Sequence, residues 1–342
     1  MTRRTSRRQF IALAAGAALA APTQVRIARG ANRASVTVAN ASGSLNLTMA
    51  ELMRQEKLLE SFDLDPNILT VADGTRILGG VVSGSVDLST MSGFGQVFPA
   101  IEHGARIKIL AGGALLPVLA LFSAKPTVKL LKDLEGKTVG TGSVGALIYQ
   151  LTVTLLQKYG VDVSKVRFAS VGSSADIFRA VAACTVDAGA GDVGLIDNAV
   201  EHHVHLIEHG NMSTELADYT FQGAWTSDQK IATGRATLVR TLAAYAKLYR
   251  LVQNPDSKDA FFRARRSIFP NAAVSDHQAL WNYIQTYKPF AVNLALEPRR
   301  LQYMQTLNVG FKVQRDVLPF ERVADMSLAA DAVKLLDAGT LK

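Results

Sequence analysis

Two stretches of this chain repeat one pattern at an offset of 100 residues. Asp73-Gly74-Thr75-Arg76-Ile77 opens a helical segment that ends at Ser83-Gly84 and runs into Ser85-Val86-Asp87-Leu88. Ser173-Ser174-Ala175-Asp176-Ile177 opens another, which ends at Ala183-Cys184 and runs into Thr185-Val186-Asp187-Ala188. Ile77 matches Ile177, Val86 matches Val186 and Asp87 matches Asp187. Gly84 suits the turn that closes a helix, and Cys184 in its place departs from that chemistry. Each unit reads as loop, helix, tight turn and strand, so the repeat predicts two similar α/β units. Ligands of such units sit at the carboxyl ends of parallel strands. Two facing units would make a cleft lined by loops from both.

The flanking residues extend the alternation. Residues 36–39, 68–71, 86–90 and 107–111 read as strands, and 48–61 and 75–82 as amphipathic helices. That rhythm predicts α/β architecture with mostly parallel sheets. The last third is amphipathic helix over 237–251, 258–269, 277–287 and 298–308, with Leu238, Leu242, Tyr245, Leu248 and Tyr249 as core positions. Hydrophobic residues make up 48% of the chain and charged residues 19%, which suits a large core and excludes a disordered chain. The lone cysteine, Cys184, excludes a disulfide framework and any multi-cysteine metal site. Its neighbours predict a small buried hydrophobe at a helix end.

The amino terminus reads as an address. Ser6-Arg7-Arg8-Gln9-Phe10-Ile11 precedes an Ala/Leu run and Ala18-Leu19-Ala20. A basic start, a short apolar stretch and a small-residue site describe a secretory signal. The paired arginines resemble the twin-arginine export signal, which a receptor reads. The apolar run, residues 10–21, is shorter than the roughly 20 residues a spanning helix needs. Four arginines here account for half of the formal charge of +8. The remaining basic residues form no dense tract with interleaved aromatics, so nucleic acid is not an expected partner. Arg263-Ala264-Arg265-Arg266 reads as a solvated helix face.

Three segments carry a family resemblance. They are Val81-Val82-Ser83-Gly84-Ser85-Val86-Asp87-Leu88, Ile101-Glu102-His103-Gly104-Ala105-Arg106-Ile107-Lys108-Ile109-Leu110-Ala111-Gly112, and Leu131-Lys132-Asp133-Leu134-Glu135-Gly136-Lys137-Thr138-Val139-Gly140. The chain resembles, over roughly residues 35–260, periplasmic substrate-binding proteins of ABC importers. The type is the one that serves nitrate, sulfonate, taurine and the thiamine pyrimidine precursor. The resemblance implies a type II periplasmic-binding-protein fold: two α/β lobes, a central ligand cleft, a two-segment hinge and C-terminal helices. Cys184 stands where the family usually has Gly, and Thr48-Met49 where many members are apolar.

Within that frame several residues are candidates for ligand contact. Gly140-Thr141-Gly142-Ser143-Val144-Gly145 is a G-x-G-x-x-G between a strand at 137–140 and a helix at 146–159. A dinucleotide site also needs an acidic residue at the end of the next strand, and Val166-Arg167-Phe168-Ala169 runs into Ser170-Val171-Gly172-Ser173 without one. The turn then reads either as an anion site of free N–H groups, using Ser143, Val144 and Gly145, or as a tight turn capped by Ser143. Asp192 follows the strand at 186–188 and Ser92 is its counterpart in the first unit. They are expected on facing cleft walls, with Asp192 alternatively capping a helix at 195–200. Ser42, Ser44, Asp73, Gly93 and Ser173 are cleft candidates at equivalent strand ends, and Trp225 either packs in lobe one or stacks on a ligand. His203, His205, Glu208 and His209 raise a metal reading that an exposed edge does not require.

These features together predict a non-enzymatic periplasmic receptor. It would bind a small organic ligand, anionic in the manner of a sulfonate or carboxylate, and deliver it to the membrane permease of an ABC importer. Residues 1–20 are the signal peptide, with a flexible stretch to about 33; 34–115 with 212–342 form lobe one, and 116–211 lobe two. No cofactor, metal or membrane anchor is expected, and the receptor is expected to be a monomer. The alternative is an exported dinucleotide-dependent oxidoreductase using Gly140–Gly145.

Overall fold

The computed structural model describes residues 33–72 and 74–339; the segment expected to be a signal peptide and Asp73 lie outside them. Ten strands divide between two five-stranded sheets. The first holds β1 (Ala34–Ala41), β2 (Leu64–Val71), β3 (Leu88–Ser92), β4 (Ile107–Gly112) and β10 (Gly223–Ser227) in the order β2-β1-β3-β10-β4. The second holds β5 (Leu119–Ser123), β6 (Thr138–Thr141), β7 (Arg167–Ser170), β8 (Ala188–Asp192) and β9 (His205–Asn211) in the order β7-β6-β8-β5-β9. Each sheet has a parallel trio and one antiparallel strand set beside it, β10 against β3 and β5 against β8. The chain leaves the first sheet after β4, builds the whole of the second, and returns through β10.

The helices are α1 (Ser44–Gln55), α2 (Gly74–Ser83), α3 (Val97–Glu102), α4 (Leu147–Lys158), α5 (Ser174–Ala182) and α6 (Met212–Glu215). After β10 come α7 (Asp228–Gln253), α8 (Lys258–Ile268), α9 (Val274–Tyr287), α10 (Pro298–Gly310), α11 (Phe320–Val323) and α12 (Ser327–Asp337). The predicted helix at 237–251 is the straight part of α7, which begins earlier and bends at Gly234, φ −135°. Leu238, Leu242, Tyr245, Leu248 and Tyr249 are buried, as their spacing predicts.

The repeat is structural. Asp87 takes a hydrogen bond from the Thr37 amide at 2.8 Å, and Asp187 takes one from the Thr138 amide at 2.8 Å. Each aspartate thus ties the start of its own strand to the parallel strand beside it, β1 or β6. Gly84 and Cys184 both adopt left-handed backbone, φ +79° and +56°. That conformation corrects the expectation for Cys184. The residue is exposed, because the turn that ends α5 points its side chain outward. Beneath α5 the second sheet is glycine-lined for contact: a Cβ on Gly189 would lie 2.4 Å from Ile177 and one on Gly191 2.6 Å from Phe178.

Candidate ligand-binding cleft

The carboxyl ends of both parallel trios open on one cleft. From the first sheet come Ser42 and Gly43 after β1, Ala72 and Gly74 after β2, and Gly93 and Gln96 after β3. From the second come Gly142 after β6, Ala146 to Ile148 at the start of α4, and Gly172 to Ser174 at the start of α5. Leu119, Phe221 and Gln222 complete the wall, and Asn46 reaches it from the first turn of α1. The room inside is about 60 Å³, space for roughly four waters at ~10–15 Å³ each. The fit across the cleft is close, since a Cβ on Gly93 would lie 3.0 Å from Leu147.

Four helices begin at this cleft: α1, α2, α4 and α5. The first turn of a helix has N–H groups with no intrahelical acceptor and carries the positive end of the dipole. Gly43 and Ala146, the residues before α1 and α4, bring no side-chain cap. Ser173 does cap α5: its Oγ accepts from the Asp176 amide at 3.3 Å while Asp176 Oδ2 accepts from the Ser173 amide at 3.1 Å. Among the described lining residues none is Asp, Glu, Lys, Arg, His or Cys. Polar recognition therefore rests on backbone amides, three serines and the amides of Asn46, Gln96 and Gln222.

Ionised groups sit one layer behind. Ser44, the first residue of α1, donates its hydroxyl to Asp192 Oδ2 at the end of β8. Burial away from water pushes the Asp192 carboxyl up to about 6, against an opposing pull from Arg265 and a further push from Asp276. Arg265 is buried, and donates Nε to His277 Nδ1 at 3.2 Å and Nη1 to Thr48 Oγ1 at 3.3 Å. On the opposite flank Gln150 of α4 donates to Asn308 Oδ1 of α10 at 3.0 Å and accepts from Tyr219 Oη at 3.1 Å. Asn308 in turn donates to the Gly95 carbonyl at 2.9 Å.

A family model described as NMT1/THI5 like matches residues 60–257, more than half of the chain. The chain belongs to the NMT1/THI5-like family. No curated protein matches its sequence. Among solved structures, the alkanesulfonate-binding protein SsuA from Xanthomonas axonopodis pv. citri, bound to MOPS, aligns with a TM-score of 0.66 at 17% identity. That alignment covers 87% of this chain and 97% of SsuA. The periplasmic nitrate-binding protein NrtA from Synechocystis PCC 6803 gives 0.66 at 10% identity over 91% of both chains. The desulfurization enzyme DSZB gives 0.58 at 13% identity, covering 89% of this chain and 99% of its own. This NMT1/THI5-like chain therefore has the α/β periplasmic-binding-protein fold that its sequence predicts.

Of the candidates named from sequence, Ser42, Gly93 and Ser173 line the cleft of this NMT1/THI5-like protein. Asp73 lies outside the described residues. Ser44 and Asp192 face each other instead of the opening. Asp192 precedes a short 3-10 turn, Val193–Ile196, where a longer helix was predicted, and its side chain makes no cap there. Ser92 matches Asp192 in position, as the last residue of β3, but its Oγ is buried and accepts from Trp225 Nε1 at 2.9 Å. Trp225 is wholly buried, so of its two readings the packing one describes it.

The glycine turn also differs from expectation. Gly142 lines the cleft, but Ser143, Val144 and Gly145 do not. Val144 is 75% exposed. The helix starts at Leu147 with Ala146 as its N-cap, so the turn is longer than the predicted Ser143 cap allows. Gly145 is required for its φ of +81°, with open space where a Cβ would stand.

The basic run on α8 is not one solvated face. Arg263 pairs with Glu56 at 2.8 Å while Arg265 turns inward. The cause is helical phase: Arg265 lies four residues beyond buried Phe261. The histidines disperse. His202 Nε2 meets Asp276 at 3.0 Å, His205 Nε2 meets the Val128 carbonyl at 2.8 Å, and His209 stacks on Tyr159. Among the described residues no three His, Cys, Asp or Glu side chains gather as a metal site would need, and no helix is long and apolar enough to cross a membrane.

Sequence reasoning missed Asn46, Gln96 and Gln222. Asn46 sits on an amphipathic helix, and the two glutamines belong to no motif, so spacing carried no signal for them.

Proposed function

We propose that the protein is a periplasmic solute receptor of an ABC importer, with 34–115 and 212–342 as one lobe and 116–211 as the other. The observation that carries this is the convergence of four helix N-termini, two from each sheet, on one small cleft. Such ends present N–H donors and a positive dipole to an acceptor group without any cationic side chain. The ligand is then a small organic molecule whose sulfonate- or carboxylate-like end faces helix starts that carry no side-chain cap, those of α1 and α4. Opening and closing of two lobes about the two connecting segments would load and release it, and a membrane permease would receive it. Binding of alkanesulfonate and nitrate by the named structural neighbours is consistent with this.

The reading includes no catalysis. A nucleophile needs a base within hydrogen-bond reach, and the described lining offers serines with no His, Lys, Asp or Glu among them. The receptor is proposed to act as a monomer and to reach the periplasm through the twin-arginine route, by Arg7-Arg8.

One preparation tests both parts. Protein recovered from the periplasm should begin near residue 21 and, in native mass spectrometry, carry a small molecule lost on denaturation. Replacing Arg7 and Arg8 by Lys should leave the precursor in the cytoplasm. Normal export of that variant would refute the route. A periplasmic protein that neither retains a molecule nor is stabilised by any small anion would refute the receptor.

A further inference from the structure

Three side-chain oxygens in the cleft wall have no hydrogen-bond partner. They are Asn46 Oδ1, Gln96 Oε1 and Gln222 Oε1. For Asn46 and Gln96 the nitrogen of the same amide is engaged. Asn46 Nδ2 donates to the carbonyls of Ala41 at 2.8 Å and Met91 at 3.0 Å, and its oxygen is the end left without a partner. Gln96 Nε2 donates to the Gly93 carbonyl at 3.0 Å. Asn46 and Gln222 are 3% and 2% exposed.

Buried polar atoms are paired in almost all proteins, and a group of orphans at one place calls for a cause. An amide oxygen accepts and cannot donate. These three are therefore useless to a bare oxyanion, whose every outward atom is also an acceptor. No N–H of the helix starts lies within hydrogen-bond reach of them. What completes the set is a ligand with N–H or O–H donors. A charged amine is not called for, because no carboxylate among the described residues lines the wall and Asp192 is engaged by Ser44.

We propose that the ligand is a small acid or sulfonate that also bears an uncharged donor, a hydroxyl or a carboxamide, directed to Asn46, Gln96 and Gln222. This rests on the receptor reading above and narrows it. The acid group takes the N–H donors of the helix starts and the uncharged donor meets the amide oxygens, with Leu119, Leu147 and Phe221 as the apolar part of the wall.

Two matched probe pairs test it by calorimetry. Ethanesulfonate is compared with 2-hydroxyethanesulfonate, and levulinate with succinamate, where CH₃ is exchanged for NH₂ at constant shape. In the parent the donor-bearing member of at least one pair binds tenfold or more tighter than its partner. In the Gln96→Leu, Gln222→Leu double variant that advantage falls below threefold. Gln222→Leu alone should raise the melting temperature of ligand-free protein, because it removes an unpaired buried oxygen. Equal binding within both pairs, or an advantage that survives the double variant, would overturn the proposal and leave the oxygens to water. A fall in melting temperature for Gln222→Leu would overturn it too, by showing that oxygen already partnered. If no probe binds, the donor proposal fails for acids of this size; the receptor reading fails only if the periplasmic protein also retains nothing.

Discussion

The hydroxyl of Ser44 at the start of α1 donates to the carboxylate of Asp192 at the end of β8, so a residue of each sheet meets directly behind the cleft. Asp192 occupies the place that Ser92 holds in the first unit, and the two side chains have gone to different work. Ser92 anchors Trp225 inside the first sheet's core. Asp192 joins the second sheet to α1 and, through charge, to Arg265 on α8.

The burial of Asp192 makes stability depend on pH. The Asp192 carboxyl is raised from 3.8 to about 6 by burial, so the folded state binds this proton more tightly than the unfolded chain. Its favourable contribution is complete below the unfolded value and is lost as pH rises through about 6. Two units correspond to about 3 kcal/mol. Asp192→Asn removes the titration. The melting temperature of the parent minus that of Asp192→Asn should therefore decline between pH 4 and pH 7 and level off above. A flat difference over that range would place the proton elsewhere.

Gly93 and Gly145 should separate binding from folding. A Cβ on Gly93 would press on Leu147 across the cleft, at 3.0 Å from its Cδ1 and 3.2 Å from its Cβ. Gly93→Val should hold the walls apart and weaken a ligand by tenfold or more, about 1.4 kcal/mol. Gly145→Val meets open space but a backbone of φ +81°, at a cost of roughly 1–2 kcal/mol to folding. Its affinity should match the parent's. Calorimetry beside denaturant unfolding checks both, and the reverse pattern would contradict the cleft as drawn.

Gln150 joins α4 to α10 on the far flank. Gln150→Leu would strand Tyr219 Oη and Asn308 Oδ1, both now bonded to it in buried surroundings. Each buried group left unpaired costs about 1–3 kcal/mol. Urea unfolding should show a loss of about 2–6 kcal/mol for the two groups, and an unchanged midpoint would mean that the network repairs itself.

The α/β class, the paired units and most element positions were legible in the sequence because each depends on near neighbours. Period-two and period-3.6 patterns, a Gly at a turn and an Asp at a strand entry are local signals, and the 100-residue repeat set them side by side. The mouth of the cleft was legible for the same reason. Ser42, Gly93 and Ser173 stand just past strand ends, where a parallel α/β unit exposes its loops. What lines the cleft beyond those ends was decided by tertiary structure. Whether Ser92 faces a ligand or Trp225 depends on β10, which enters the first sheet more than a hundred residues later. Whether Arg265 meets water or Asp192 depends on how α8 packs on α1. Asn46, Gln96 and Gln222 carry no local pattern at all. Their oxygens became a group only when β1, β3 and β10 brought three distant segments to one wall, since side-chain direction is set by packing and not by spacing along the chain.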